Sequence, residues 1–161
     1  MNITMRQLMQ RFSQARHIID SEMTRAIQKC ARKVRDTATK KFGFYQPASG
    51  GFVGWAKLKP ATVRRKLKAG GGEDPLIGHY KVARRNRIHG MPLMSSISDY
   101  VTDGGWTGVV GTDDPIGKHH EYGAPKANIP PRPFLRPALH EEQDFIRDET
   151  KDAIRRAIRR L

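Results

Sequence analysis

Few residues in this chain of 161 have the means to do chemistry, and the densest group of them is His119-His120-Glu121. Imidazole and carboxylate side chains are common ligands of divalent metals and common partners in acid–base catalysis. The surrounding stretch "KHHEYGAPKANI" reads as an extended piece, and adjacent residues on a strand point to opposite faces. His119 and His120 therefore do not share one ion. No HExxH, paired CxxC or other ligand spacing accompanies the six histidines. Cys30 falls on the apolar face of a helical pattern, where a buried, inert thiol is expected rather than a nucleophile. Gly70 to Gly72 lacks the strand, loop and helix context and the following Lys-Ser/Thr of a phosphate-binding loop, so these glycines read as a hinge. No catalytic triad assembles. The sequence predicts no catalytic, cofactor-binding or metal-binding residue, and a protein that is not an enzyme.

The elements that would position these residues are legible from periodicity and punctuation. A chain of this length is expected to form one domain with a modest core. From about Thr4 to Phe42 apolar residues recur in steps of three and four, from Met5, Leu8, Met9 and Phe12 through Ile19, Met23, Ile27 and Cys30 to Val34 and Ala38. No Pro or Gly interrupts them, so residues 1–43 read as one long amphipathic helix. At 1.5 Å per residue it would be roughly 55–60 Å long, more than a domain of this size covers by itself. Part of its stripe is expected to face another subunit; a kinked pair folding back on one core is the alternative. Residues 44–92 form a loop-rich basic region that begins as a glycine-rich connector with aromatic anchors. It contains a short helix from Pro60 to about Lys68, opened by proline and closed by glycines. In residues 93–136, "SISDYVTD" and "WTGVVGT", joined through Asp103-Gly104-Gly105, give a hairpin signal. The run "IPPRPFLRPAL" follows. Its prolines fix φ near −65° and donate no hydrogen bond, which makes it a stiff extended strut. Residues 137–161 read as a closing amphipathic helix with acids early and arginines late, the order the helix dipole favours. The fold class expected is α+β: an N-terminal and a C-terminal helix on a small antiparallel sheet, with a long basic loop.

The net charge is +14, and its distribution is uneven. Residues 1–43 carry +7 and residues 44–92 carry +8, whereas residues 93–128 carry −3. Such a field favours a polyanionic partner. Arg64, Arg65, Lys66, Lys68, Lys81, Arg84, Arg85 and Arg87 are the candidate partner-binding residues. A solvated face, docking on an acidic protein surface and contact with DNA are the three readings of that excursion, and no helix-turn-helix, zinc finger or RNA-recognition motif accompanies it. The lone cysteine excludes an intrachain disulfide. With no signal-type segment, lipidation pattern or long apolar run, the expectation is a protein made and kept in a reducing cytoplasm without a membrane partner.

Five separated pieces occur in one order: "GWAKLKPATVRRK", "PLMSSI", "VVGTDD", "HHEYGA" and "IPPRPFLRPAL". This succession resembles the phage virion-morphogenesis and tail-component family, the neck or tail-completion proteins of long-tailed phages. In that family a Leu-x-x-Ser-Ile element leads into a strand, a Tyr/Phe-Gly turn follows a His or Glu, and a Pro-x-Arg-Pro-Phe-Leu-x-Pro-Ala box precedes the last helix. The likeness covers about Trp55 to His140; the chain departs from it between Lys66 and Leu93, where the family connects its elements more briefly. The resemblance implies a structural virion protein, made in the host bacterial cytoplasm and located in the neck or tail. It would form a homo-oligomeric ring that contacts other neck and tail proteins and completes the tail or joins it to the head. It also implies that Trp55, Leu58, Leu93, Ile97, Phe134 and Leu135 are core or interface anchors and that Gly123 is a turn residue. The rival readings are a basic nucleic-acid-binding protein and an assembly chaperone absent from the finished particle.

Overall fold

The computed structural model describes residues 4–68, 71–76 and 93–161. The fold is α+β. Among the described residues there are five α-helices and one small antiparallel sheet of two strands: α1 (Met5–Lys40), α2 (Pro60–Lys68), β1 (Ile97–Thr102), β2 (Thr107–Thr112), α3 (Pro115–Tyr122), α4 (Leu135–Glu141) and α5 (Gln143–Ile158). The chain divides into two compact units. One comprises Met1–Lys33, Asp99–Val109 and Glu142–Leu161; the other comprises Val34–Ser98 and Val110–Glu141.

The long helix is continuous, as its uninterrupted stripe predicts. Its start is a reciprocal cap: Gln7 N–H donates to Thr4 Oγ1 at 3.3 Å, and Thr4 N–H donates to Gln7 Oε1 at 3.0 Å. It stops at Lys40, just before Gly43 turns the chain with φ +89°. The short helix occupies Pro60–Lys68, as the proline and the glycines indicate. The hairpin turns through Asp103–Gly105, where Gly104 and Gly105 take positive φ.

Two expectations are corrected. The third extended piece is absent: Pro115–Tyr122 is a helix, because Asp114 caps it by accepting from Ile116 N–H at 2.9 Å and Pro115 supplies a preset first turn. The closing helix is two helices rather than one, beginning at Leu135 and broken at Glu142, whose φ and ψ of −95° and 7° leave helical geometry.

In the first unit, α5 runs antiparallel to α1. Its ion pairs advance along α5 while retreating along α1: Lys33 to Glu142 at 3.8 Å, then Lys29 to Glu149, then Glu22 to Arg156 at 3.1 Å and to Arg160. Ala26, Ala153 and Met23 form the seam, flanked by Ile19 and Ile27. The alanines bring the two backbones close. Gly105 and Gly108 pack against α1 as well; a Cβ at Gly105 would lie 1.9 Å from Thr24 Oγ1. Glu22 is buried among Arg25, Arg156 and Arg160, and the hydrogen bond from Arg156 holds its carboxylate below the usual range against the opposing effect of burial.

Candidate functional site

In the second unit three of the quoted sequence pieces meet at one joint. Gly117 lets α3 approach closely: a Cβ there would sit 2.5 Å from Thr112 Cγ2 and 3.2 Å from Leu93 Cδ1. That seat carries Glu121 inward on the last turn of α3, where it is buried. Its Oε2 accepts from the backbone N–H of Phe134 at 2.8 Å and of Leu135 at 3.0 Å. Its Oε1 accepts from Arg136 N–H at 3.1 Å and from Arg136 Nε at 3.0 Å, while Arg136 Nη2 donates to the Glu121 carbonyl at 2.9 Å. The first N–H groups of a helix have no partner within it and carry the positive end of its dipole. Glu121, remote in sequence, is the anion that satisfies them for α4.

The proline strut is tied at every donor it owns. Between Pro130 and Phe134 only Arg132 and Phe134 have an N–H. Arg132 N–H donates to the His120 carbonyl at 2.6 Å, and Phe134 N–H goes to Glu121. The buried Arg132 guanidinium donates through Nε and Nη2 to the Ala56 carbonyl at 3.2 and 2.8 Å. Trp55 Nε1 donates to the Pro133 carbonyl at 2.9 Å. Phe134, fully buried, meets Phe42 edge to face with ring centroids 5.1 Å apart, and Phe42 meets Trp55 likewise at 6.5 Å. Gly123, with φ +80°, turns the chain where a Cβ would lie 3.1 Å from Pro131.

His120 faces this joint. Its Nδ1 is buried with no hydrogen-bond partner among the described residues. Burial, then Arg132 and His119, push its pKa down to about 4. The carboxylate of the His-His-Glu trio is committed to capping α4, and among the described residues no group of three His, Cys, Asp or Glu side chains could hold a metal ion. A cavity of about 150 Å³ lies beside the joint, and its charged lining residues Lys41 and Glu141 pair with each other at 2.6 Å. Cys30 is buried, and burial raises its thiol pKa.

The anchors named from the sequence fall in two grades. Trp55, Leu93, Ile97 and Phe134 are buried, whereas Leu58 and Leu135 are half-buried. Of the basic candidates, Arg64, Arg65 and Lys68 are exposed. Lys66 is half-buried and donates to the Asp74 carbonyl. Lys81, Arg84, Arg85 and Arg87 lie outside the described residues. Glu121, Arg132 and Arg136 are the tying residues that sequence reasoning missed; Asp114-Pro115 was the available signal for the helix that aims Glu121.

The first unit presents a surface of another kind. The pairs between α1 and α5 end near Glu22, and Trp106 Nε1 reaches α1 at Asp20, 3.1 Å away. Beyond them every residue from Thr4 to Gln14 is exposed. Met5, Met9 and Phe12 are 63–73 % exposed and Leu8 38 %. They continue the same helical face that Met23, Ala26, Cys30 and Val34 bury further along. The arm from Met5 to Ile18 is about 21 Å long at 1.5 Å per residue. No helix among the described residues is long and apolar enough to cross a membrane. No protein-family model, curated protein or solved structure matches the chain.

Proposed function

We propose that the chain is a structural, non-enzymatic subunit of a tailed-phage virion, forming a ring in the neck that completes the tail or joins it to the head. The observation that carries this reading is the arm of α1, whose Met5, Leu8, Met9 and Phe12 stand in water on the face that the rest of the helix buries. Removing apolar surface from water contributes about 25 cal/mol per Å², a gain the isolated chain forgoes along the whole arm and a neighbouring copy supplies. The tied strut serves the same end, since a segment rigid before assembly has less ordering entropy to lose. The order of the five sequence pieces supports the virion setting, with copies of the chain and other neck and tail proteins as partners.

A clean deletion of the coding sequence is expected to leave heads and tails unjoined, or tails with defective ends, and mass spectrometry of purified virions is expected to find the chain. Normal infectious particles from the deletion reject the proposal. Absence from otherwise normal virions replaces it with an assembly chaperone.

A further inference from the structure

Cations and carboxylates pair along α5, along much of α1 and at the Glu121 joint. Arg16, Arg25, Lys29, Lys33, Lys41, Arg136, Arg147, Lys151, Arg155, Arg156 and Arg160 all stand within 4.0 Å of a carboxylate. Single cations elsewhere, among them Arg6, Arg11, Lys118 and Lys126, form no ion pair among the described residues either, but one stretch gathers several. Residues 57–68 hold six basic side chains and no acid. Lys66 turns to the Asp74 carbonyl; Lys57, Lys59, Arg64, Arg65 and Lys68 are exposed, and none of the five forms an ion pair among the described residues.

Helical spacing gathers three of the five. At about 100° per residue, Arg64, Lys68 and Arg65 share an arc of about 100° across Ala61, while Thr62, Val63 and Lys66 turn to the half-buried side. Lys57 and Lys59 lead directly into the helix. A protein partner would need an apolar centre on this face, because the middle of a protein interface is depleted of charge. Here only Ala61 lies between the cations, with Leu67 at the edge. Guanidinium groups match phosphate oxygens two bonds at a time, which suits the adjacent Arg64 and Arg65 to a phosphate backbone. The helix carries no aromatic ring on which an unpaired base could stack.

We infer that the outward face of α2, with Lys57 and Lys59, binds the phosphate backbone of duplex DNA without reading its sequence. This goes beyond the assembly role and is independent of it, since α2 lies outside the α1 arm.

The test is fluorescence anisotropy of the full chain with a labelled duplex of arbitrary sequence across a salt series. With four or five phosphates neutralised, affinity falls by about 100- to 500-fold between 50 and 200 mM salt. Arg64→Gln with Arg65→Gln is expected to weaken binding more than tenfold and to lower the salt slope by about 2. A control removing the same charge from exposed positions of α5, Arg147→Gln with Lys151→Gln, is expected to change affinity less than threefold. Three results overturn the inference: no binding at 50 mM salt, equal losses in the α2 and α5 variants, or binding to poly-glutamate as tight as to the duplex. Circular dichroism confirms that both double variants keep the fold, as exposed positions require.

Discussion

Replacing Phe134 with Ala tests whether the strut is an anchor or a passive connector. The ring is fully buried, packs edge to face on Phe42, and sits where the Trp55 indole ties down the preceding carbonyl. Losing the transfer free energy of a buried Phe costs about 1.5–3 kcal/mol, and the cavity left among Phe42 and its neighbours raises the total to about 3–5 kcal/mol. For a chain of this size that is a fall in Tm on the order of 6–20 °C. Differential scanning calorimetry of the purified chain measures it directly. Leu135→Ala, at the adjacent half-buried position, is expected to cost less than half as much. Equal effects at the two positions, or a fall in Tm under about 2 °C at Phe134, would refute the reasoning that burial at the joint holds the strut.

Two further outcomes follow from the same joint. Glu121→Gln retains one acceptor oxygen but turns an amide N–H₂ toward backbone donors and removes the charge facing Arg136; a loss of about 2–4 kcal/mol is expected in urea unfolding, and an unchanged midpoint would contradict its role as the cap of α4. Native His120 takes up its proton near pH 4, whereas an unfolded imidazole does so near 6.5, so the unfolded state gains protons first as pH falls. The neutral imidazole's contribution is therefore complete above about pH 6.5 and is lost on the way down to pH 4, by about 2–3 kcal/mol allowing for partial solvent screening. His120→Gln should flatten the Tm profile across that window relative to the unmodified chain; parallel profiles would show that His120 does not titrate there.

Much of the fold was legible because its signals are local. An uninterrupted apolar stripe marks α1, Pro60 opens α2, and Asp103-Gly104-Gly105 turns the hairpin. The helix α3 was hidden by its histidines, which suggest alternation to a reader who passes over Asp114-Pro115. The break at Glu142 had no signal at all, since neither proline nor glycine stands there; neighbouring glutamates simply take different partners, Glu141 with Lys41 and Glu142 with Lys33. The joint was the least accessible part. Glu121 caps a helix that begins fourteen residues later at Leu135, and Arg132 serves a carbonyl at Ala56, contacts that depend on tertiary placement rather than spacing. The arm lay in between: the stripe was plainly too long, but where its cover ends is set by the reach of α5.

The most direct measurement is the mass of the full chain in solution by multi-angle light scattering over a concentration series, alongside a variant with Leu8→Asp and Phe12→Asp in the arm. A neighbour-covered arm requires that the unmodified chain form a closed oligomer, and that the variant run as a monomer with Tm lowered only by the loss of that contact. A monomer at every concentration of the unmodified chain would contradict it.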